Sequence, residues 1–201
     1  MDLDKLSEIA RKYDLEPELL LTVAKVESSG SGFLDDHRLK ILFEKHVMWK
    51  RLKTRGIDPH LLNHYDRTLC SRYWLPKAYL GGRGEWSRIR KIVDWAAMNY
   101  PSKWESYQKA AYESCSWGMF QLMGYHYKSL GFENIYTLIE KLGKGEEDQV
   151  EVILIWMENN GLLERLKKKD WVRFARGYNG LGQVPKYSLR LKKTYSSLKK
   201  I

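Results

Sequence analysis

Cysteine is scarce: Cys70 and Cys115 are the two in 201 residues. That number excludes a scaffold built on disulfides and leaves open one bridge or two buried thiols. Nowhere does an apolar run approach the length of about 20 residues needed to span a membrane. The N-terminal stretch MDLDKLSEIARKY mixes acids with its apolar residues, so it lacks the character of a secretory signal. Synthesis in a cytoplasm, with delivery by other machinery, is the expectation. No repeat, low-complexity tract or flexible linker divides the chain. The histidines (His37, His46, His60, His64 and His126) are scattered, and His60-x-x-x-His64 reads as a solvated helix pair rather than a zinc-ligand pair. GGRGEW at 81–86 lacks the strand-to-helix setting and the lysine of a phosphate-cradling loop. Neither a metal nor a cofactor is expected.

What the chain does have is aromatic surface and positive charge. It carries 8 Trp and 13 Tyr, enough for a core and for a groove that stacks sugar rings or bases. Lys and Arg number 35 against 25 Asp and Glu, a net charge of +10. Such an excess suits an anionic partner: nucleic acid, a membrane surface or an acidic bacterial envelope. The length suits one domain with a sizeable core, or two small lobes around a cleft.

Apolar residues recur mostly at helical spacing. A first helix spans 3–13, with Leu6, Ile9, Ala10 and Tyr13 on its stripe and Asp2 or Asp4 as cap. Pro17 opens a second helix that runs to Ser28, where glycines at 30 and 32 end it. Residues 39–49 read as extended or as a turn leading into a helix, and 50–85 resist assignment. Helices follow at 86–99, 102–115, 135–142, 147–159, 162–168, 170–177 and 186–200. The last carries Tyr187, Leu191, Tyr195 and Leu198 inward and lysines outward. The expected fold is therefore mainly α, with at most a small β-region near 35–47.

Within this frame, Glu27 stands out. It lies three and four residues beyond Ala24 and Val23, on the face that should be buried. It reads either as a surface charge at a helix end or as an acid whose pKa burial raises toward neutrality. SWGMFQLM (116–123) reads as a helix start in the core, holding Ser116 and Gln121. ARGYNGLG (175–182) places Tyr178 and Asn179 just past a helix, in a loop bracketed by glycines.

VAKVESSGSGF, KILFEKH, ESCSWGMFQLMG and FARGYNG occur in this order and at matching spacing over nearly the whole chain, and together they resemble the N-acetylmuramidase family of phage endolysins. A more distant likeness runs to goose-type lysozymes and lytic transglycosylases. The resemblance implies an α+β lysozyme-like fold, a helical two-lobed single domain over 1–201 with a central substrate cleft and no separate cell-wall-binding module. It implies a monomeric endolysin that reaches the wall after release and cuts peptidoglycan glycan strands. Glu27 then matches the acid that protonates the glycosidic oxygen, and Ser28 follows it. Ser116 and Gln121 match a motif bordering the cleft, and Tyr178 and Asn179 the pair facing the scissile sugar.

A second carboxylate stays open at this point. Glu44, beside Phe43 in an apolar stretch, is the leading candidate, its other reading being a helix-start charge paired with Lys45 or His46. Glu113 comes next, or buttresses the cleft loop by accepting backbone hydrogen bonds; Asp35 and Asp36 read as turn acids. With no such partner, the sugar's own 6-hydroxyl attacks and the enzyme is a lytic transglycosylase. Arg83 and Trp86 of GGRGEW are further candidates to touch substrate. The basic segment LRLKKTYSSLKKI either packs as an ordinary last helix or draws the protein to an anionic envelope or outer membrane. A basic nucleic-acid-binding module would explain the charge but not acids at 27, 44 and 113, because phosphate contacts call for the opposite sign; no specific nucleic acid is expected.

Overall fold

A computed structural model describes residues 3–74 and 79–200; Asp2, one of the two expected caps of the first helix, lies outside them. In chain order the elements are α1 (Leu3–Lys12), α2 (Pro17–Ser28), β1 (Ile41–Phe43), α3 (Lys45–Lys53), α4 (Pro59–Tyr65), α5 (Arg83–Asn99) and α6 (Trp104–Glu113). They continue as β2 (Cys115–Trp117), β3 (Leu122–Met123), two short 3-10 turns at 124–126 and 128–130, α7 (Ile135–Lys144), α8 (Glu146–Asn159), α9 (Leu163–Lys167), α10 (Trp171–Asn179) and α11 (Val184–Leu198). None of these helices is long and apolar enough to cross a membrane.

The chain divides into two units. The first gathers the chain up to Phe33, the short loop Gly118–Phe120, and everything from Lys141 onward. Its core is formed where α2 brings Leu20, Val23 and Ala24 into the interior with Ile153 and Met157 of α8, Phe174 of α10 and Leu191 of α11. Local chemistry sets the helix limits. Pro17 sits in the first turn of α2, where its missing amide proton costs nothing. Asp170 caps α10 by accepting from the Arg173 amide at 3.1 Å. Gly161 (φ 63°) follows α8 as its stop.

The second unit comprises Leu34–Trp117 and Gln121–Glu140. Its three strands form one antiparallel sheet in the order β1-β2-β3, with Ile41 opposite Trp117, Phe43 opposite Cys115, and Ser116 opposite Met123. The α5 and α6 helices pack on each other and bury Ile89, Ile92, Tyr107, Ala110 and Ala111. Cys70 and Cys115 are both free and buried. Burial pushes the Cys70 thiol up to about 12 and the Cys115 thiol well above its usual value.

Two expectations need correction, and one open stretch is resolved. The strand near 35–47 is present at 41–43, but its partners lie in SWGMFQLM, which forms a hairpin rather than a helix start. Gly118 (φ 70°) and Gln121 (φ 49°) turn the chain back there, and a run this short shows no period that separates strand from helix. The unsettled stretch 39–49 is both strand and helix in succession, broken at Glu44. Finally, α10 continues through Tyr178 and Asn179, because its stop is Gly180 (φ 74°), not the residues before it.

Candidate active site

In the first unit Glu27 occupies the last turn of α2, above Val23 and Ala24, which are fully buried. The helix ends because Ser29 turns left-handed (φ 62°) and returns its amide to the Ala24 carbonyl. Ser28 shares this turn, and its hydroxyl donates to the same carbonyl at 3.1 Å. The Glu27 carboxylate accepts a hydrogen bond from the Tyr187 hydroxyl of α11. Arg190, one turn further along, donates to the Val26 carbonyl at 2.8 Å and adds its positive charge to the site. Tyr178 stacks on Tyr187 with ring centroids 6.3 Å apart, Phe174 stacks on Tyr178 at 5.2 Å, and Trp156 meets Tyr178 edge-on at 5.4 Å.

These surroundings decide the charge state. Glu27 keeps some surface exposure, but its carboxyl is ringed by protein atoms, and this desolvation pushes its pKa up to about 7. The Tyr187 hydrogen bond and the Arg190 charge pull the other way and do not cancel it. Burial, reinforced by the charge of Glu27, holds the Tyr187 phenol well above its ordinary value, so it stays a donor. A carboxyl that exchanges its proton near neutral pH, fixed by one donor, is equipped for general acid catalysis.

The Gly118–Phe120 loop belongs to the same unit and is held at two points. The Met119 amide donates to Gln149 Oε1 at 2.7 Å, and the Tyr178 hydroxyl donates to the Phe120 carbonyl at 2.6 Å. Gln149 Nε2 in turn donates to the Leu142 carbonyl at 2.9 Å. A Cβ on Gly32 or Gly118 would collide with the Gln149 carboxamide, so both positions require glycine. The structure thus joins Tyr178 to the SWGMFQLM segment, and leaves Asn179 exposed at the end of α10.

The second unit holds the other expected residues. Across the β2–β3 hairpin the Ser116 hydroxyl donates to Gln121 Oε1 at 2.8 Å. Glu44 immediately precedes α3; its Oε1 accepts from the Tyr79 hydroxyl at 2.8 Å and its Oε2 lies 3.2 Å from His46 Nδ1. Trp74 Nε1 donates to the same Tyr79 oxygen at 3.3 Å. Glu113 is buried at the end of α6, with Arg55 Nη2 at 2.6 Å and Arg51 Nε at 3.6 Å, so two guanidinium groups hold it where backbone amides were expected. Asp36 accepts from the Arg38 amide in its turn, and the Arg38 side chain, with Arg83 at 2.9 Å, holds its carboxyl down at about 2. Arg83 is thereby engaged, and Trp86 Nε1 donates to the Leu39 carbonyl at 2.9 Å. His60 and His64 both lie on α4, their rings 6.1 Å apart. Among the described residues no group of three or more His, Cys, Asp or Glu is placed to hold a metal ion.

A sequence model of the N-acetylmuramidase family matches residues 16–199. The chain belongs to that family. It is a glycoside hydrolase that degrades peptidoglycan. Among solved structures, the crystal structure of Burkholderia AP3 phage endolysin is similar to this muramidase with a TM-score of 0.78 and 26% identity, over 100% of this chain and 72% of that one. No protein of curated function matches. Neither the transglycosylase nor the nucleic-acid reading gains support from these comparisons.

Several polar groups of the muramidase escaped sequence reasoning. Tyr187 read only as core, and nothing local tied it to Glu27, 160 positions away. Gln149 and Glu85 carry a signal that was there to use: each is a polar residue four positions before an inward apolar one, Ile153 and Ile89. Glu85 is fully buried and accepts from the amides of Leu80 at 2.6 Å, Gly81 at 3.0 Å and Phe43 at 3.3 Å, with Arg88 at 3.3 Å. It latches the start of α5 to β1. Tyr79 lies within the stretch 50–85 that resists assignment, and carries no local signal.

Proposed function

We propose that Glu27 is the general acid of this muramidase, protonating the oxygen of the β-1,4 bond between N-acetylmuramic acid and N-acetylglucosamine as that bond breaks. The observation that carries this reading is the Glu27 carboxyl at the end of α2, held by Tyr187 and raised by burial to about 7. Tyr187 positions the proton donor, and Ser28, Ser116, Gln121, Tyr178 and Asn179 bind the glycan. Glu44, anchored by Tyr79 and adjacent to His46, is the second carboxylate and activates water. Inversion by such a pair requires a separation of about 6.5–9.5 Å, with room for that water. Glu113, neutralised by Arg51 and Arg55, has a structural role.

The likeness to a phage endolysin supports a lytic role, in which the catalytic domain acts as a monomer and reaches the wall from a bacterial cytoplasm once a holin or other machinery releases it; the likeness bears on the lytic role alone. Mass spectrometry of muropeptides from digested peptidoglycan tests the reaction. Reducing N-acetylmuramic acid ends are expected. Anhydro ends would replace water by the sugar's own hydroxyl as nucleophile, and reducing N-acetylglucosamine ends would move the cut to the other bond.

A further inference from the structure

The net charge of the chain is confined to one part of it. Of the 35 Lys and Arg, 12 lie in residues 161–201, where Glu164 and Asp170 are the only acids. The remaining 23 basic residues face 23 acids, so the first 160 residues are neutral in sum and the last 41 carry all of the +10. These last residues are α9, α10 and α11 of the first unit.

The same segment also exposes apolar side chains to solvent. Leu181, flanked by glycines in the α10–α11 connection, is 78% exposed; Val172 of α10 and Leu189 of α11 are 53% and 52% exposed. Val172 and Leu189 line a groove of about 630 Å³ between the two helices, together with Trp171 and Pro185. Lys192 also lines it and is exposed, as is Lys193 beside it, while Lys169, a further lining residue, is paired with Glu16 at 2.7 Å. The acid of the groove, Asp170, is neutralised by Arg173 at 3.3 Å. On α11 the spacing Pro185, Leu189, Lys192 keeps the apolar residues and a lysine on one stripe.

We propose that the α10–α11 face docks on a bilayer surface containing anionic lipid. Charge alone would suit any polyanion, including the acidic groups of the wall itself. A soluble polyanion, however, offers nothing to Val172, Leu181 and Leu189, whereas a lipid interface takes up apolar side chains and attracts the lysines around them at the same time. The face is separate from the Glu27 carboxylate, which is held by the opposite, buried stripe of α11 through Tyr187. It gives a wall-degrading enzyme a way to work close to a membrane, independent of how the glycan is cut.

Co-sedimentation of the intact protein with vesicles tests this. Vesicles of phosphatidylcholine mixed with phosphatidylglycerol should bind it, vesicles of phosphatidylcholine alone should not, and binding should fall as salt rises. Val172→Ser with Leu189→Ser should weaken that binding about ten-fold, and Lys192→Ser with Lys193→Ser by about five-fold for each lysine lost. Both double variants should digest purified peptidoglycan at the parent rate, and their thermal unfolding confirms the fold. The proposal is overturned if the mixed vesicles do not bind. It is also overturned if the apolar variant binds them as well as the parent does, since attraction is then that of any polyanion. Loss of wall digestion in the same variants would likewise overturn it, by making the face part of the glycan site.

Discussion

Glu27 keeps its proton over a pH range in which exposed glutamates have lost theirs. The folded value of about 7 lies above the ordinary 4.5. The stability linked to this carboxyl is therefore fully present below about 4.5 and is lost as pH rises through about 7. Glu27→Gln, which has nothing to ionise, should melt no lower than the parent in acid. Above neutrality it should be the more stable protein, by up to about 3 kcal/mol. Glycan cleavage should fall about a thousand-fold in the same variant; calorimetry across pH and a turbidity assay check the two halves, and substantial residual cleavage would remove Glu27 from its role. Tyr187 donates to the charged form and so lowers the Glu27 pKa. Tyr187→Phe should move the alkaline limb of the pH–rate profile upward by about one unit. A variant that only loosened packing would lower the rate and leave the limb in place.

Among the elements, helices with a clean 3.6-residue stripe were legible: α2, α8 and α11 start and stop within about two residues of expectation. What was not legible depended on tertiary partners. The β2–β3 hairpin exists because two left-handed residues, Gly118 and Gln121, reverse a run too short to show a period. The extent of α10 turned on Gly180, three positions beyond Gly177, where the sequence reading ended the helix. Buried polar anchors such as Gln149 belong to this scale too, because each fixes an element to a loop. Gln149→Leu should leave the Met119 amide and the Leu142 carbonyl without their partner and destabilise the fold by roughly 2–4 kcal/mol. Urea denaturation reads this directly, and a loss below about 0.5 kcal/mol would mean that the Gly118–Phe120 loop is held by Tyr178 alone.

For the molecule as a whole, family and mainly helical class were readable from four sequence blocks, because these carry the residues around which the fold is built. The site was readable only in part. Helical register singled out Glu27, and the resemblance pointed to Tyr178, Asn179, Ser116 and Gln121. Tyr187 and Tyr79, which touch Glu27 and Glu44, come from distant or unassigned stretches, and chain separation hides such pairs from any local pattern.

The placement of the two thiols has a practical consequence. Cys70 and Cys115 both lie in the second unit, and the first contains no cysteine. Buried and reluctant to ionise, neither should react with an alkylating reagent while that unit stays closed. Alkylation kinetics followed by intact mass therefore serve as a clock for opening of the second unit alone, without any label having to be introduced. Run against tyrosine absorbance, which reports on both units, the clock shows whether they open in one step or two. A protein fully modified within minutes under native conditions would contradict the buried placement of both sulfur atoms.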